Sequence, residues 1–92
     1  MKVRWRPAAQ VDRDAILDYI AQDNPRAALE LDEAFMEKAQ TAAHRPRLYR
    51  AGRVRGTREV VVRPNYVMVY RIKGEGIEIL RVLHAAQQWP PS

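Results

Sequence analysis

The chain has 92 residues, of which 47% are hydrophobic and 29% charged, which is enough for one small hydrophobic core but not for two. We therefore expect a single domain over residues 1–92. Cysteine is absent and His44 and His84 are the only imidazoles, so we expect no disulfide, no metal and no other cofactor. No segment approaches the roughly 20 apolar residues of a membrane span or resembles a signal peptide, and we predict a cytoplasmic protein without membrane contact.

Positive charge is concentrated in the second half of the chain. Residues 1–44 carry six Lys and Arg against eight Asp and Glu, whereas residues 45–92 carry ten against three, and the net charge is +5. Thirteen of the sixteen cations are arginines, whose planar guanidinium matches carboxylates, phosphates and aromatic faces. The composition therefore predicts an anionic partner, either nucleic acid or an acidic protein surface.

The first half predicts a short strand followed by two helices. Val3-Arg4-Trp5 alternates before Pro7 and predicts a strand at a sheet edge or at the start of a pair. Apolar side chains recur at three- and four-residue steps over residues 8–22, which predicts an amphipathic helix. Asn24-Pro25 is a favoured helix start, so a second helix is predicted from there to His44. The buried stripe predicted for the first helix is Ala8, Val11/Asp12, Ala15/Ile16 and Tyr19/Ile20, with Arg13, Asp14, Asp18 and Gln22 in water.

In the second half the period changes from helical to alternating. Residues 47–56 contain two glycines and no helical period, and we interpret them as a basic loop running into a strand. Residues 57–63, 66–72 and 76–83 are β-branched and aromatic runs separated by turn residues, which predicts a three-stranded antiparallel meander. The remaining residues to Ser92 end in Trp-Pro-Pro and are predicted to form a tail or one short turn.

These elements predict an α+β fold of order β-α-α-β-β-β, in which a helical hairpin packs on one face of a small antiparallel sheet. Ile16, Ile20, Leu31 and Phe35 are the predicted helix contributions to the core. Arg58, Val60 and Val62 share one side of their strand, so alternation does not say which sheet face meets the helices. The face that the helices leave open is the expected working surface.

Six segments, taken in their order and spacing, carry a family resemblance that extends over almost the whole chain. The segments are Val3-Arg4-Trp5, Asp14-Ala-Ile-Leu-Asp-Tyr-Ile20, Asn24-Pro-Arg-Ala-Ala28, Gly52-Arg-Val-Arg-Gly-Thr-Arg-Glu59, Pro64-Asn-Tyr-Val-Met-Val-Tyr-Arg71 and Ile79-Leu-Arg-Val-Leu-His-Ala-Ala-Gln-Gln-Trp-Pro90. Together they resemble the ParE/RelE superfamily of type II toxins, and the Arg-Val-Leu-His segment near the C-terminus is the most specific.

The resemblance implies a compact toxin that halts growth and is neutralised by a cognate antitoxin. Such antitoxins carry a DNA-binding domain, of ribbon-helix-helix or similar type, and a flexible arm that wraps the toxin, so that the two form a hetero-oligomer. An acidic arm laid on an arginine-rich surface, as a helix in a groove or as an added strand, is compatible with the charge pattern. The target implied by the superfamily is either DNA gyrase or the ribosome.

The superfamily contains both ribosome-dependent messenger-RNA endonucleases similar to RelE and gyrase poisons similar to ParE. The nuclease branch carries an Arg where this chain has Val67, a basic pair where it has Arg58 and Val60, and a further basic residue near Gln87. These departures favour the ParE-like branch, with no catalytic residue. If the chain is a nuclease, the general base is His84, and Arg58 and Arg81 hold the phosphate. A third alternative is an inactive partner that serves only in repression.

The residues predicted to bind a target or partner lie in the basic loop and near the C-terminus. They are Arg47, Tyr49, Arg50, Arg53, Arg55, Arg58, Arg81, Gln87 and Trp89. Several have a structural alternative: Arg81 as an ion pair with Glu59 or Glu78, Arg58 as a cross-strand partner of Glu59, His84 as a cap at the strand end, and Trp89 as packing for the tail.

Overall fold

Two antiparallel helices cover one face of a five-stranded sheet in the computed structural model, which describes residues 2–91. The strand order across the sheet is β1-β5-β4-β3-β2. Neither helix within these residues has the length and apolarity to cross a membrane. The elements are β1 (Lys2–Trp5), α1 (Pro7–Asp23), α2 (Pro25–His44), β2 (Arg50–Ala51), β3 (Arg58–Arg63), β4 (Tyr66–Lys73) and β5 (Gly76–His84).

The junction between the helices is fixed by the residues that predicted it. The Asn24 side chain accepts a hydrogen bond from the backbone N–H of Ala27 at 3.0 Å and caps α2. Pro25 occupies the first helical position, where its missing N–H costs nothing. At the other end α2 stops before Pro46, and the Arg45 N–H closes the last turn on the Thr41 carbonyl at 2.9 Å.

The predicted α+β architecture is confirmed, but the sheet is mixed. β3, β4 and β5 form the antiparallel meander, whereas β1 pairs in parallel with β5, with Lys2 beside Gly76 and Trp5 beside Ile79. Two helices and three strands lie between β1 and β5 in the chain, and such a long connection allows parallel pairing. A second addition is β2, a two-residue strand in the predicted basic loop, where Arg50 pairs with Glu59.

The core lies between the helices and one sheet face, and it identifies that face. Val60 and Val62 of β3 belong to this core together with Met68 and Tyr70 of β4. Because successive strand residues point to opposite sides, Glu59 and Val61 lie on the other side, together with Val67, Val69 and Arg71. We call this second side, which the helices leave uncovered, the outer face.

The predicted stripe on α1 was wrong in part. Ala9 is buried and Ile16 and Ile20 pack against the core, but Val11 and Tyr19 are 66% and 73% exposed. Arg13, predicted to lie in water, is half-buried instead. It donates to Asp32 of α2 at 2.7 Å and its guanidinium lies 4.6 Å from the Trp5 ring centre. Polar anchors therefore occupy part of the buried side of this helix and displace its apolar residues.

Candidate functional site

A buried carboxylate lies on the outer face where the basic loop meets β3. Glu59 is 2% exposed and accepts hydrogen bonds from the backbone N–H and the Nε of Arg53, at 2.9 and 3.1 Å. Arg50 of β2 adds a third contact at 3.3 Å. Burial alone would raise the pKa of Glu59, but the bonds and charge of Arg53, with Arg50, outweigh it and hold that pKa below its usual range. Glu59 is therefore an ionised anchor for two arginines.

The same two arginines border a shallow depression on the outer face. Its lining combines the charged Glu59 group with apolar side chains, because Val61 and Val67 are paired neighbours on β3 and β4. Val61 is 46% exposed there, whereas Val67 is buried. The residues of the depression are Arg50, Ala51, Arg53, Glu59, Val61, Pro64, Val67 and Ala85. A cationic rim over an apolar floor suits an acidic or aromatic group of a partner.

The rest of the basic loop is held from the core side. The Arg58 guanidinium donates to the Tyr49 carbonyl at 2.8 Å, and the Tyr70 hydroxyl donates to the Pro46 carbonyl at 2.7 Å. Burial raises the pKa of Tyr70, which keeps its hydroxyl a donor. Arg58 thus supports the loop backbone and does not pair with Glu59. The fixed loop leaves Arg47 and Arg55 exposed on its surface.

Arg81 pairs with neither of the two glutamates considered from the sequence. Its Nε and Nη2 donate to the two carboxylate oxygens of Asp12 in α1, at 2.7 and 3.0 Å. This bidentate bond raises the pKa of Arg81 above its already high usual value. Asp12 also accepts from the Val82 backbone N–H at 2.9 Å. The pairing of β4 with β5 shifts register beside Arg81. The Asp12 carboxylate therefore links α1 to an irregular part of the sheet.

The C-terminal candidates form a compact turn. The His84 Nδ1 accepts from the Ala86 N–H at 3.1 Å, and the Gln87 side-chain oxygen accepts from the His84 N–H at 3.3 Å. Trp89 is half-buried, and the Arg81 guanidinium lies 5.7 Å from its ring centre. Its indole Nε1 is buried and has no hydrogen-bond partner among residues 2–91. His84 and Trp89 thus have the contacts of a strand-end cap and of tail packing.

The three residues assigned to the nuclease alternative do not meet at one point. Arg58 is paired with Tyr70 and His84 with Tyr66, so they lie four residues apart along β4, about 13 Å, and on strands at opposite sides of it. Arg81 is bound to Asp12. A phosphate held by Arg58 is therefore out of reach of the His84 imidazole in this arrangement.

The structure also assembles a basic cluster that was missed in the sequence. Glu78 of β5 is 3% exposed, and Arg71 donates to it at 2.8 and 2.7 Å. Arg4, Arg6 and Lys73 surround the same carboxylate at 3.9 to 4.0 Å. The Arg71 hydrogen bond, against the opposing effect of burial, lowers the pKa of Glu78, and the other cations add to it. The sequence signal for this cluster was the two-residue spacing of Arg4 and Arg6 and of Arg71 and Lys73, which places each pair on one face of a strand.

The fold, a helical hairpin on a mixed five-stranded sheet with a cationic outer face, is that of the ParE/RelE class of type II toxins. Residues 3–89 match the family described as the ParE toxin of the type II toxin-antitoxin system parDE. The chain belongs to this family.

Curated relatives and solved structures agree with this assignment. The chain is 38% identical over 90 residues to Y4kP of Sinorhizobium fredii, which is named as a toxin, with 97% of this chain and 93% of the relative covered. It is 35% identical over 86 residues to toxin RelE2 of Caulobacter vibrioides, covering 94% and 97%.

Among solved structures, a chain of the chromosomal ParDE system of P. aeruginosa superposes with a TM-score of 0.78 at 26% identity, covering 91% of this chain and 95% of that one. The YoeB/ParE toxin of Agrobacterium tumefaciens shares the fold, with a TM-score of 0.66 at 16% identity and 91% and 98% coverage.

Proposed function

We propose that this type II toxin arrests growth by binding DNA gyrase and trapping a gyrase–DNA intermediate, without catalytic chemistry of its own. The observation that supports this most is the state of the candidate catalytic residues. Arg58 and Arg81 are engaged in structural bonds, and His84 is about 13 Å along the sheet from Arg58 and caps a turn. An RNA-cleaving site needs a proton-transfer group beside the cations that hold the phosphate.

The target surface that we propose is the basic loop together with the outer-face depression. Arg47 and Arg55 are exposed on a loop that Arg58 and Tyr70 hold in place, and Arg50 and Arg53 are oriented by Glu59. Arginines held in place lose little side-chain entropy when a partner binds, so they suit recognition of an acidic surface. Tyr49 belongs to the same loop, and its backbone carbonyl accepts the Arg58 hydrogen bond.

A cognate antitoxin is the second partner that we propose. Val11 and Tyr19 of α1 and Leu29 and Met36 of α2 are exposed at seven- or eight-residue spacing, which forms apolar ridges at two helical turns. Such ridges suit an amphipathic segment of another chain. We expect the antitoxin to lay this segment on the helices, an acidic stretch on the basic surface, and a separate DNA-binding domain outside the complex.

The alternative function is a ribosome-dependent messenger-RNA endonuclease, and the relative named RelE2 is the observation that favours it. Expression of the toxin in a host strain separates the two. Gyrase poisoning predicts filamentation and an induced DNA-damage response while translation continues. Immediate loss of translation with cut messages supports the nuclease instead. If neither growth nor translation changes, both functions are wrong and the inactive partner remains.

Matched substitutions sharpen this experiment. Arg47→Ala with Arg55→Ala should weaken target binding about 10- to 100-fold, since arginines are enriched among the interface residues whose truncation costs more than about 1 kcal/mol. His84→Ala should leave toxicity within a few-fold, because no proton transfer depends on it. A nuclease that uses this imidazole would lose about 10²- to 10⁴-fold. Arg26→Ala with Lys38→Ala, which removes two positive charges from α2, is the control for charge alone.

A further inference from the structure

The Glu78 cluster has a square arrangement of cations around one carboxylate. Arg4 on β1 and Arg71 on β4 are both in register with Glu78, which lies between them on β5, so their Cα atoms are about 10 Å apart. Arg6 follows β1, and its backbone N–H still bonds to Ile79 of β5 at 3.0 Å. Lys73 lies two residues beyond Arg71. The four cations therefore lie on one sheet face. Two of them are on each side of strand β5, and in the strand direction one pair is level with Glu78 while Arg6 and Lys73 lie beyond it in opposite directions.

The carboxylate neutralises only one of these four charges. Arg71 makes the short bonds, at 2.7 and 2.8 Å, whereas Arg4, Arg6 and Lys73 stay 3.9 to 4.0 Å away. The side chains of these three are 74%, 49% and 59% exposed. Within residues 2–91 none of them donates a hydrogen bond to another side chain at ordinary distance. Lys2 and Glu75, which border the depression beside Glu78, add one charge of each sign, so an excess of three positive charges remains on this part of the sheet.

We propose that the Glu78 cluster binds the phosphate backbone of duplex DNA. The choice of DNA rests on the proposed function, because gyrase presents duplex DNA to a toxin that is bound to it. Guanidinium forks match phosphate oxygens, and alternate strand residues carry such forks at regular spacing. Backbone contacts of this kind give affinity without base readout.

An acidic polypeptide fits this cluster less well. Protein interfaces need buried apolar or aromatic anchors among their charges. The large exposed apolar side chains of residues 2–91 lie elsewhere: Val11 and Tyr19 on α1, Leu29 and Met36 on α2, Leu48 in the basic loop and Val61 on β3. None of them belongs to the Glu78 cluster, whose exposed groups are the cations of Arg4, Arg6 and Lys73, as expected for contacts to phosphates.

The test measures the affinity of the toxin for a fluorescent random-sequence DNA duplex of about 20 base pairs. Fluorescence anisotropy reports the binding at salt concentrations from 50 to 200 mM. The variant is Arg4→Ala with Lys73→Ala, which removes two exposed cations and keeps the Arg71–Glu78 bond. The matched control is Arg26→Ala with Lys38→Ala on α2, which removes the same charge from the helical layer. We expect the cluster variant to bind at least 10-fold more weakly. The slope of log K against log salt concentration should be smaller in magnitude by about 1.8, which is about 0.9 for each lost phosphate contact. The control should stay within about twofold.

Equal weakening of both variants would mean that only net charge matters and would overturn the proposal. The same holds if the wild type binds polyglutamate but not the duplex, or if RNA of the same sequence binds more tightly and loses more in the variant. No gyrase is present in this assay, so its result is separate from the proposed function. A toxin that binds DNA through the cluster but leaves gyrase unaffected contradicts only the proposed target, whereas gyrase poisoning by a toxin without DNA binding contradicts only this inference.

Discussion

At the scale of single residues, three carboxylates organise most of the arginine chemistry. Glu59 orients Arg50 and Arg53, Asp12 holds Arg81, and Glu78 gathers the cations of β1 and β4. Charge-assisted hydrogen bonds from arginines offset the desolvation cost of a buried carboxylate. Removal of either the carboxylate or its arginine leaves the other group without a partner. These carboxylates are therefore sensitive positions for both stability and surface geometry.

The lowered pKa values of Glu59 and Glu78 predict the acid limit of the fold. A carboxyl whose pKa is lower in the folded than in the unfolded state adds stability that is complete above the unfolded value, near 4.5, and is lost as pH falls through the folded value. We expect the free energy of unfolding, measured with urea, to decline below about pH 4.5. The double change Glu59→Gln, Glu78→Gln should flatten this decline, and an unchanged slope would contradict the assignment.

Asp12→Asn should destabilise the toxin by about 1.5–3 kcal/mol, because it replaces a charged acceptor shared by Arg81 and the Val82 N–H with a neutral amide. Urea denaturation followed by circular dichroism measures this difference. Asp18→Asn, an exposed change on the same helix, is the control and should stay within about 0.5 kcal/mol. Equal effects of the two changes would show that the Asp12–Arg81 bond contributes nothing.

At the scale of elements, the pairing of β1 with β5 depends on a glycine. A Cβ at Gly76 would run into the backbone carbonyl of Lys2, so only glycine allows the two strands to approach at this point. Because β1 carries Arg4 into the Glu78 cluster, this close approach also determines the geometry of the basic surface.

Gly76→Ala should therefore loosen β1, at a cost of about 1–3 kcal/mol, as for other over-packed sites. Hydrogen exchange of the β1 amides should accelerate more than that of the amides of β4. Gly74 lies two residues away with φ of +59° and with open space around it, so Gly74→Asn, which tolerates this conformation, is the control. Protected β1 amides in the Gly76→Ala protein would refute the steric argument.

Local signals were sufficient for most elements. Asn24 and Pro25 placed the helix junction, and the turns at 64–65 and 73–76 placed the meander to within one residue of its observed ends. The first strand was correctly expected at an edge, since β1 ends the sheet order. β2 was missed because two residues are too few for a period, and the parallel pairing of β1 depends on a partner more than 70 residues away.

The candidate residues were predicted less well than the elements. Charge density drew attention to Arg50 and Arg53, which lie on the outer face around Glu59, and their binding of a partner stays a prediction. The partner of Arg81 could not be found, because Asp12 is 69 positions away and looked like part of an apolar stripe. Arg4 and Arg6 were overlooked for the same reason, since only the sheet pairing brings them to Glu78.

At the scale of the whole molecule, charge is divided between the two layers. Residues 7–44, the helices, carry three Lys and Arg against eight Asp and Glu, whereas the rest of the chain carries thirteen against three. The helical layer is thus −5 and the sheet with its loops +10, a sharper division than that between the two halves of the sequence. Such a charge distribution orients the sheet toward anionic partners during association. The rate of association with a target should therefore fall as the salt concentration rises.

The most direct measurement uses purified gyrase, supercoiled plasmid and this toxin. The proposed function predicts that cleaved linear plasmid accumulates with increasing toxin, that His84→Ala acts like the wild type, and that messages on translating ribosomes stay intact. Uncleaved plasmid with normal gyrase activity, together with messages cut at the ribosome and spared by His84→Ala, would contradict it.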